Sequence, residues 1–326
     1  MTSAPCTFTV FTPTYNRAHT LHRVYESLSR QTFRDFEWLI VDDGSNDNTG
    51  DLAARWRTAA DFPIRYVRQP NRGKHVAFNH GVREATGRLF LPLDSDDACV
   101  PQALERFIHH WESIPEEEKA RFTGVTALCM DETGQPIDRA FPLDVTDSDS
   151  LEMRYRFHIT GEKWGFHRTD VLRSFPFPED VPRGYLPEAV VWSRIARIYK
   201  TRFVNEALRI YQTDQPSLMR GNGPERDAAS ARLADLMVLN EHLDYFKYAP
   251  LAFCRSAAQY VRLSTHARIG PCEQFAEIGN PLGKALWMTA YPVGLAVYLR
   301  DRRTARRQAR LNNHGNGNPV TVSSRS

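Results

Sequence analysis

Cysteine is sparse in this chain, and what there is forms no pattern. Cys6, Cys99, Cys129, Cys254 and Cys272 are odd in number and scattered, with no C-x-x-C pair. That usage argues against a disulfide framework and a thiolate zinc site, and it points to a reducing compartment, the cytoplasm. Histidine adds no metal signature, because His75, His80, His109, His110, His158 and His167 fall into no zinc spacing. Net charge is small, a formal +3 over 326 residues, so charge makes no case for a nucleic-acid partner, and none is expected. Residues 1–8 show neither a basic n-region nor a long apolar h-region, so a signal peptide is not expected. The best membrane candidate, Ala285–Leu299, is shorter than the roughly 20 residues that span a bilayer and is interrupted by Pro292 and Gly294. A transmembrane helix is not expected there, and no internal repeat is visible.

What remains is an ordinary globular composition, 41% hydrophobic and 25% charged, long enough for one large α/β domain with an appendage. Two apolar runs in it end abruptly in acid. Leu91-Pro92-Leu93 leads into Asp94, Ser95, Asp96 and Asp97, and Phe36–Val41 leads into Asp42, Asp43, Gly44 and Ser45. Carboxylates crowded at the end of a buried strand repel one another and resist desolvation, and a hard cation among them is the simplest remedy. Mg²⁺ or Mn²⁺ held by one or two carboxylates together with substrate phosphates fits such a set. An EF-hand over Asp43–Thr49 is excluded, since the loop glycine and the distal Glu are missing.

The first hundred residues alternate strand and helix patterns. Strands are predicted at Thr7–Thr12, Phe36–Val41, Ile64–Val67 and Arg88–Leu93. Helices are predicted around Leu21–Leu28, Leu52–Trp56 and His75–Ala85. Such alternation implies right-handed crossovers and a mainly parallel sheet. The segments after the strands, Pro13–Arg17, Asp42–Thr49, Arg68–His75 and Asp94–Asp97, then share the carboxyl edge where open α/β sheets bind ligands. Further on, the pattern predicts a helix over Pro101–Trp111, a strand over Phe122–Met130 and a polar loop over Asp144–Ser150. A helix over Pro187–Tyr199 and a strand over Arg202–Tyr211 follow. Gly221-Asn222-Gly223-Pro224 marks a boundary, followed by helical patterns at Ala228–Phe246 and Leu251–Ala267. The chain thus divides into a domain over 1–220, with halves at 1–100 and 101–220, a helical extension over 221–311, and a low-complexity tail from Asn312 expected to be disordered.

Four motifs occur in order: Phe11–Arg17, Val41–Asp47, Asn71-Arg72-Gly73-Lys74 with Ala77 and Asn79, and Leu93–Asp97. Together they resemble the nucleotide-binding half of glycosyltransferase family 2, and it is the ordered set that carries the specificity. A looser likeness to bacterial members continues through Gly161–Lys163, Phe175–Pro178, Pro187-Glu188 and Tyr211. The resemblance implies a GT-A type fold: a Rossmann-like mixed sheet flanked by helices, here with a C-terminal helical extension. It implies an inverting, metal-dependent transfer of a sugar from a nucleotide diphosphate donor, UDP-linked, to a hydroxyl of a glycan, lipid-linked or small-molecule acceptor, in cell-envelope polysaccharide synthesis. Without a multispan membrane segment, a processive synthase is not expected.

On that resemblance Thr12, Pro13, Tyr15, Arg17, Asn71, Lys74 and Ser95 fall at the nucleotide site, and Asp43 would accept a hydrogen bond from a pyrimidine N3–H. Asp94 would lie at the ribose and, with Asp96, at a Mn²⁺ or Mg²⁺ ion bridging the diphosphate. Glu188 would be the base, with Asp180 and Glu162 in reserve. Each residue also has a bland reading. Thr12–Tyr15 is an ordinary turn, Asp43 a turn former before Gly44, Asp97 a helix cap, and Lys74 and Arg72 solvated loop cations. Glu188 suits a helix start without any catalysis. Trp164 and Tyr185 can stack on an acceptor sugar or simply pack, and His158 or His167 can approach a metal or be satisfied in place. Ala285–Arg310, apolar and then rich in arginine, reads either as an interfacial anchor on anionic lipid at the inner face of the membrane or as a core helix with a solvated basic end. Two other functions fit the same residues. One is a phosphotransferase or phosphatase with Asp94 as nucleophile. The other is a nucleotide-sugar-binding protein without turnover.

Overall fold

The computed structural model describes residues 6–181, 186–212 and 224–315, the side chains of 224–226 and 308–315 lying outside that description. The chain forms two compact units, one of Met1–Gly221 with Lys247–Ala249 and one of Asn222–Phe246 with Pro250–Ser326. Tyr185, Arg183, Gly184, Gly221–Gly223 and residues 316–326 lie outside the described residues.

In the first unit, β1 (Phe8–Thr14), α1 (His22–Ser29), β2 (Phe36–Asp42), α2 (Thr49–Ala59), β3 (Ile64–Arg68), α3 (Lys74–Glu84) and β4 (Leu89–Pro92) follow one another as the alternation predicts. Then come β5 (Ala98–Cys99), α4 (Ala103–Glu112), α5 (Glu116–Lys119), β6 (Phe122–Met130), β7 (Val145–Ser148), α6 (Ser150–Tyr155), β8 (Lys163–Arg168), α7 (Thr169–Ser174), α8 (Ala189–Ala196) and β9 (Lys200–Ile210). One mixed sheet runs in the order β3-β2-β1-β4-β8-β6-β9-β5, with β7 on β9. The strands β3, β2, β1 and β4 are parallel, while β8 runs antiparallel to both β4 and β6.

Burial explains the order. All seven residues of β2 are buried, as a central strand covered on both faces requires, whereas β3 at the edge is half-exposed. On one face Tyr25 of α1 stacks on Trp56 of α2 at 4.9 Å, over buried Trp38. Glu37, buried within β2, takes bonds from Thr9 Oγ1 at 2.7 Å and the Thr86 amide at 2.9 Å, so its charge is tied down rather than stranded. The seam between β6 and β8 is unusually close. A Cβ on Gly124 would lie 1.8 Å from the Phe166 carbonyl oxygen, and one on Gly165 2.2 Å from that of Val125.

Three strands escape the sequence pattern, the first being the two-residue β5. The expected loop Asp144–Ser150 contains β7, whose Val-Thr-Asp-Ser has no apolar face, and it is the Asp147–Arg202 ion pair (2.7 Å) that fastens it antiparallel to β9. The alternation of β8, with Trp164 and Phe166 inward, is short and interrupted by Gly165. Asp149 caps α6 by accepting from the amides of Leu151 and Glu152, both at 2.9 Å.

The second unit is all helix: α9 (Pro224–Glu241), a short 3₁₀ turn at Leu243–Tyr245, α10 (Pro250–His266), α11 (Pro271–Glu277) and α12 (Pro281–Gly315). All four α-helices open on proline, whose fixed φ suits the first helical position and whose missing N–H is not needed there. Arg232 clasps Glu277 at 2.6 and 3.0 Å, and Glu277 also accepts from the Tyr260 hydroxyl. α12 continues through Asn312–Gly315, so the first residues of the expected disordered tail are helical. Among the described residues no helix is long and apolar enough to cross a membrane.

Strand β9 is also tied to α4. Glu206 accepts from Arg106 Nε at 2.8 Å and Nη2 at 2.7 Å and lies 2.7 Å from His110 Nε2. The Arg106 bonds hold its carboxyl near 2, below the ordinary 4.5, against partial burial and with help from His110. A depressed carboxyl stabilises the fold fully above pH 4.5 and loses that contribution as pH falls through 2. Glu206→Gln should therefore lose roughly 2 kcal/mol in urea unfolding at neutral pH. The gap to the parent protein should close as the titration descends from 4.5 toward 2.

Candidate active site

The loops at the carboxyl edge of the parallel strands are cross-braced before any ligand is considered. The Asn16 amide donates to Ser45 Oγ at 2.8 Å and Asn16 Oδ1 accepts from the Asn46 amide at 2.9 Å, which joins the first two loops. Asn16 adopts φ +53°, a left-handed conformation that asparagine tolerates. Gly44 sits at φ +86°, where a Cβ would come within 2.9 Å of the Asn71 amide nitrogen.

Asp43 belongs to this bracing. Its Oδ1 accepts from Gln69 Nε2 (2.8 Å) and the Arg72 amide (2.9 Å), and its Oδ2 from the Gly73 amide (2.8 Å). Only 5% exposed, it holds the loop before α3. Of about four lone-pair directions on a carboxylate, three are spent, so the expected base-reading role retains one acceptor direction on Oδ2. Thr12 does not face the edge at all. It is fully buried, with Oγ1 accepting from Trp38 Nε1 at 3.0 Å in the core. Pro13 lines the cavity described below, Tyr15 and Asn71 are exposed on the rim, and Ser95 is buried in the turn after β4.

The acidic turn after β4 meets cations of its own chain. Asp94 accepts from Lys74 Nζ at 2.9 Å on Oδ1 and from Arg209 Nη2 at 3.3 Å on Oδ2. Asp97 is not a helix cap: it grips Arg209 through Nε at 2.8 Å and through Nη2, and takes the Gln212 amide at 3.0 Å. Burial opposes the charge on Asp94, but Lys74 and Arg209 overcome it and hold the carboxyl near 2. Burial pushes Asp97 up to about 6 against the pull of Arg209. The crowding is thus neutralised largely from within, and each oxygen of Asp94 spends one of its two lone-pair directions on a cation and keeps the other. Asp96 differs. A quarter exposed, its Oδ2 lies 3.5 Å from Arg17 Nη1, beyond hydrogen-bond length. Among the described residues no three His, Cys, Asp or Glu side chains gather as a metal cage. The donor set fits an ion held by Asp96 jointly with a ligand's phosphates, which is how Mg²⁺ is commonly bound.

Lys74 reaches further than a solvated loop lysine. Its Nζ also lies 3.2 Å from Glu188 Oε1, linking the turn after β4 to the start of α8. Burial disfavours its charge, yet Asp94 and Glu188 together hold its pKa above the ordinary lysine value. Glu188 sits at the N-cap of α8 but makes no side-chain cap bond, and its Oε2 accepts from Trp192 Nε1 at 3.3 Å. Lys74, Asp94, Glu188, Trp192, Arg209 and Glu162 all border one cavity of about 530 Å³, within the usual size of small-molecule sites. Its walls mix these polar groups with aromatic side chains, including Phe11, Phe78, Phe141 and Phe203.

Other expected candidates fall differently. Trp164 is 3% exposed and donates to the Pro92 carbonyl, so it is a core residue on the cavity wall. His167 stacks on Trp192 at 4.7 Å with Nδ1 2.9 Å from Thr123 Oγ1, and burial lowers its pKa to about 4. His158 and Asp180 are exposed, and neither borders the cavity. Arg72 pairs with Glu179 at 3.4 Å. Sequence reasoning missed Arg209 and Trp192. For the first, the available signal was a second arginine in β9, set between the apolar Leu208 and Ile210.

Comparison with known proteins agrees with this geometry. The glycosyl transferase family 2 model matches residues 9–117. An uncharacterized glycosyltransferase of Nostoc sp. is 37% identical over 224 residues, 67% of this chain and 66% of that protein. A Campylobacter jejuni GalNAc(5)-diNAcBac-PP-undecaprenol beta-1,3-glucosyltransferase is 25% identical over 62% of this chain and 63% of its own length. The chain therefore matches slightly less than two thirds of either relative. Among solved structures, S. aureus TarS 1-349 in complex with UDP-GlcNAc superposes with a TM-score of 0.58 at 18% identity, over 90% of this chain and 92% of that one. That likeness establishes the fold as GT-A. Through residues 9–117 the chain belongs to glycosyltransferase family 2.

Proposed function

We propose that this protein is an inverting glycosyltransferase that uses a nucleotide diphosphate sugar, UDP-linked, and passes the sugar to a hydroxyl of a glycan, lipid-linked or small-molecule acceptor. One observation carries the reading: Lys74 joins Asp94 on the nucleotide side to Glu188 on α8 across the mouth of a single cavity. The nucleotide side lies within the segment matched by the family model, and the TarS structure with UDP-GlcNAc supports a uridine donor. The undecaprenol-linked substrate in the name of the Campylobacter relative supports a lipid-linked acceptor.

In this reading the diphosphate lies beside Asp96 and Lys74, with the sugar in the cavity. An acceptor hydroxyl bonded to Glu188 attacks the anomeric carbon from the side opposite the diphosphate. The new C–O bond forms as the bond to the phosphate oxygen breaks, and the hydroxyl proton passes to Glu188. Lys74, held cationic by its two carboxylates, places positive charge where the leaving group gathers negative charge. A divalent ion held by Asp96 and the diphosphate would add Lewis-acid stabilisation of that charge. The ion pair with Lys74 and the bond from Trp192 aim the Glu188 carboxylate before substrate arrives. A phosphatase built on Asp94 is less favoured, because both of its oxygens are already held by cations.

Glu188→Gln should leave donor binding within about twofold while transfer falls about 10²- to 10⁴-fold. Measuring UDP release in the presence of acceptor beside calorimetric UDP binding checks this, and undiminished transfer removes Glu188 from its role. Asp96→Ala should abolish the part of UDP binding that depends on Mn²⁺ and leave thermal stability unchanged. Calorimetry of UDP, GDP and dTDP with and without Mn²⁺ reads both the base and the metal. Lack of binding by all three nucleotides, or formation of a phosphoenzyme, overturns the proposal.

A further inference from the structure

The helical unit carries a surface that the proposed chemistry does not use. Helix α12 has two unlike sides. Its inner side is built for close contact: Gly283, Leu286, Trp287, Ala290 and Gly294 are buried, and a Cβ on Gly294 would lie 2.5 Å from the Ala258 carbonyl oxygen of α10. The outer side of a solvent-facing helix is normally polar. Here it is mostly apolar, with Leu282 41%, Met288 55%, Val293 57% and Leu299 46% exposed, with Ala285, Pro292 and Ala296 exposed between them, and with Thr289 as the exposed polar residue of the stretch. The helix is therefore a core element on one face and an uncovered apolar stripe on the other.

The stripe changes character at its end without leaving its line. Positions 285, 289, 292, 296, 299, 303 and 307 recur every three or four residues, so exposed Arg303 and Arg307 continue the row that Ala296 and Leu299 occupy. Exposed Arg300, Arg302 and Arg306 stand around them. Asp301 is the only acidic residue in 281–315, and it is turned inward to Arg262 at 2.6 Å and His266 at 3.2 Å. A surface depression lined by Pro292, Val293, Ala296, Val297 and Arg300 lies where the apolar and cationic parts meet.

We propose that this outer face of α12 docks in the plane of an anionic lipid surface, with its apolar stripe in the acyl boundary and its arginines on the headgroup phosphates. Charge complementarity selects this occupant. A second copy of α12 would bring arginines without any free acid to meet them. A nucleic acid would satisfy the arginines and leave Met288, Val293 and Leu299 in water. Lipid meets both demands, and arginine stems reach from an apolar boundary to phosphate readily. The stripe from Leu282 to Leu299 extends about 27 Å along the helix axis, enough for a lasting in-plane contact. The inference goes beyond the reading of the active site and does not depend on it.

The test is co-sedimentation of the full chain with phosphatidylcholine vesicles, with and without phosphatidylglycerol. Binding is expected on the anionic vesicles. Arg303→Ala with Arg307→Ala should weaken it roughly 30-fold, the effect of two basic residues near such a surface. Met288→Glu with Val293→Glu should abolish it. All four positions are exposed, so unchanged circular dichroism and UDP calorimetry should accompany both variants, and the latter keeps failure here separate from failure at the active site. Absence of binding to anionic vesicles overturns the proposal. So does binding that survives Met288→Glu with Val293→Glu, which would be adsorption by charge alone. A concentration-dependent dimer that these two substitutions dissolve, without vesicle binding, assigns the face to a second copy instead.

Discussion

Arg209 is the residue on which the acidic edge depends. Two carboxylates of one turn, Asp94 and Asp97, are close enough to repel, and one buried guanidinium from β9 holds both. Removing it would leave the buried Asp97 without its cation and Asp94 with Lys74 alone, a far larger loss than any surface pair represents. The same contact also joins the two halves of the first unit, since the turn follows β4 and Arg209 lies on a strand paired with β6 and β5. Charge compensation and architecture are one arrangement here.

Lys74 extends that arrangement to the cavity. Standing at the start of α3, it shares its proton-bearing nitrogen between Asp94 and Glu188, so a carboxylate contributed by the α8 end of the fold is oriented by the turn after β4. Trp192 adds a second bond to Glu188 and stacks on His167, which couples the orientation of that carboxylate to the wall of the cavity. The site is preorganised by its own ion pairs, with Asp96 left at the rim in a different position from its neighbours.

The parallel half of the sheet was legible because its strands are continuous apolar runs and its loops are the polar, turn-rich segments between them. β2 is the clearest instance, buried along its whole length. β5, β7 and β8 were not legible, because the first is two residues long, the second has no apolar face and is secured by an ion pair, and the third is broken by a glycine needed for close packing. Among site residues, local sequence could mark Asp43, Asp94 and Asp96 as unusual but not say what each touches. Asp43 proved to be a loop brace, and Thr12 a core hydroxyl. Arg209 meets Asp97 from 112 positions away, a relation that no periodicity or spacing encodes.

The glycines at 124 and 165 carry a consequence of another kind. At that seam two backbones approach until no side-chain carbon fits between them, so both positions are closed to every other residue. Gly165 also borders the cavity, so that stretch of its wall is set by backbone packing, whereas side chains elsewhere on the lining can be exchanged without touching the seam.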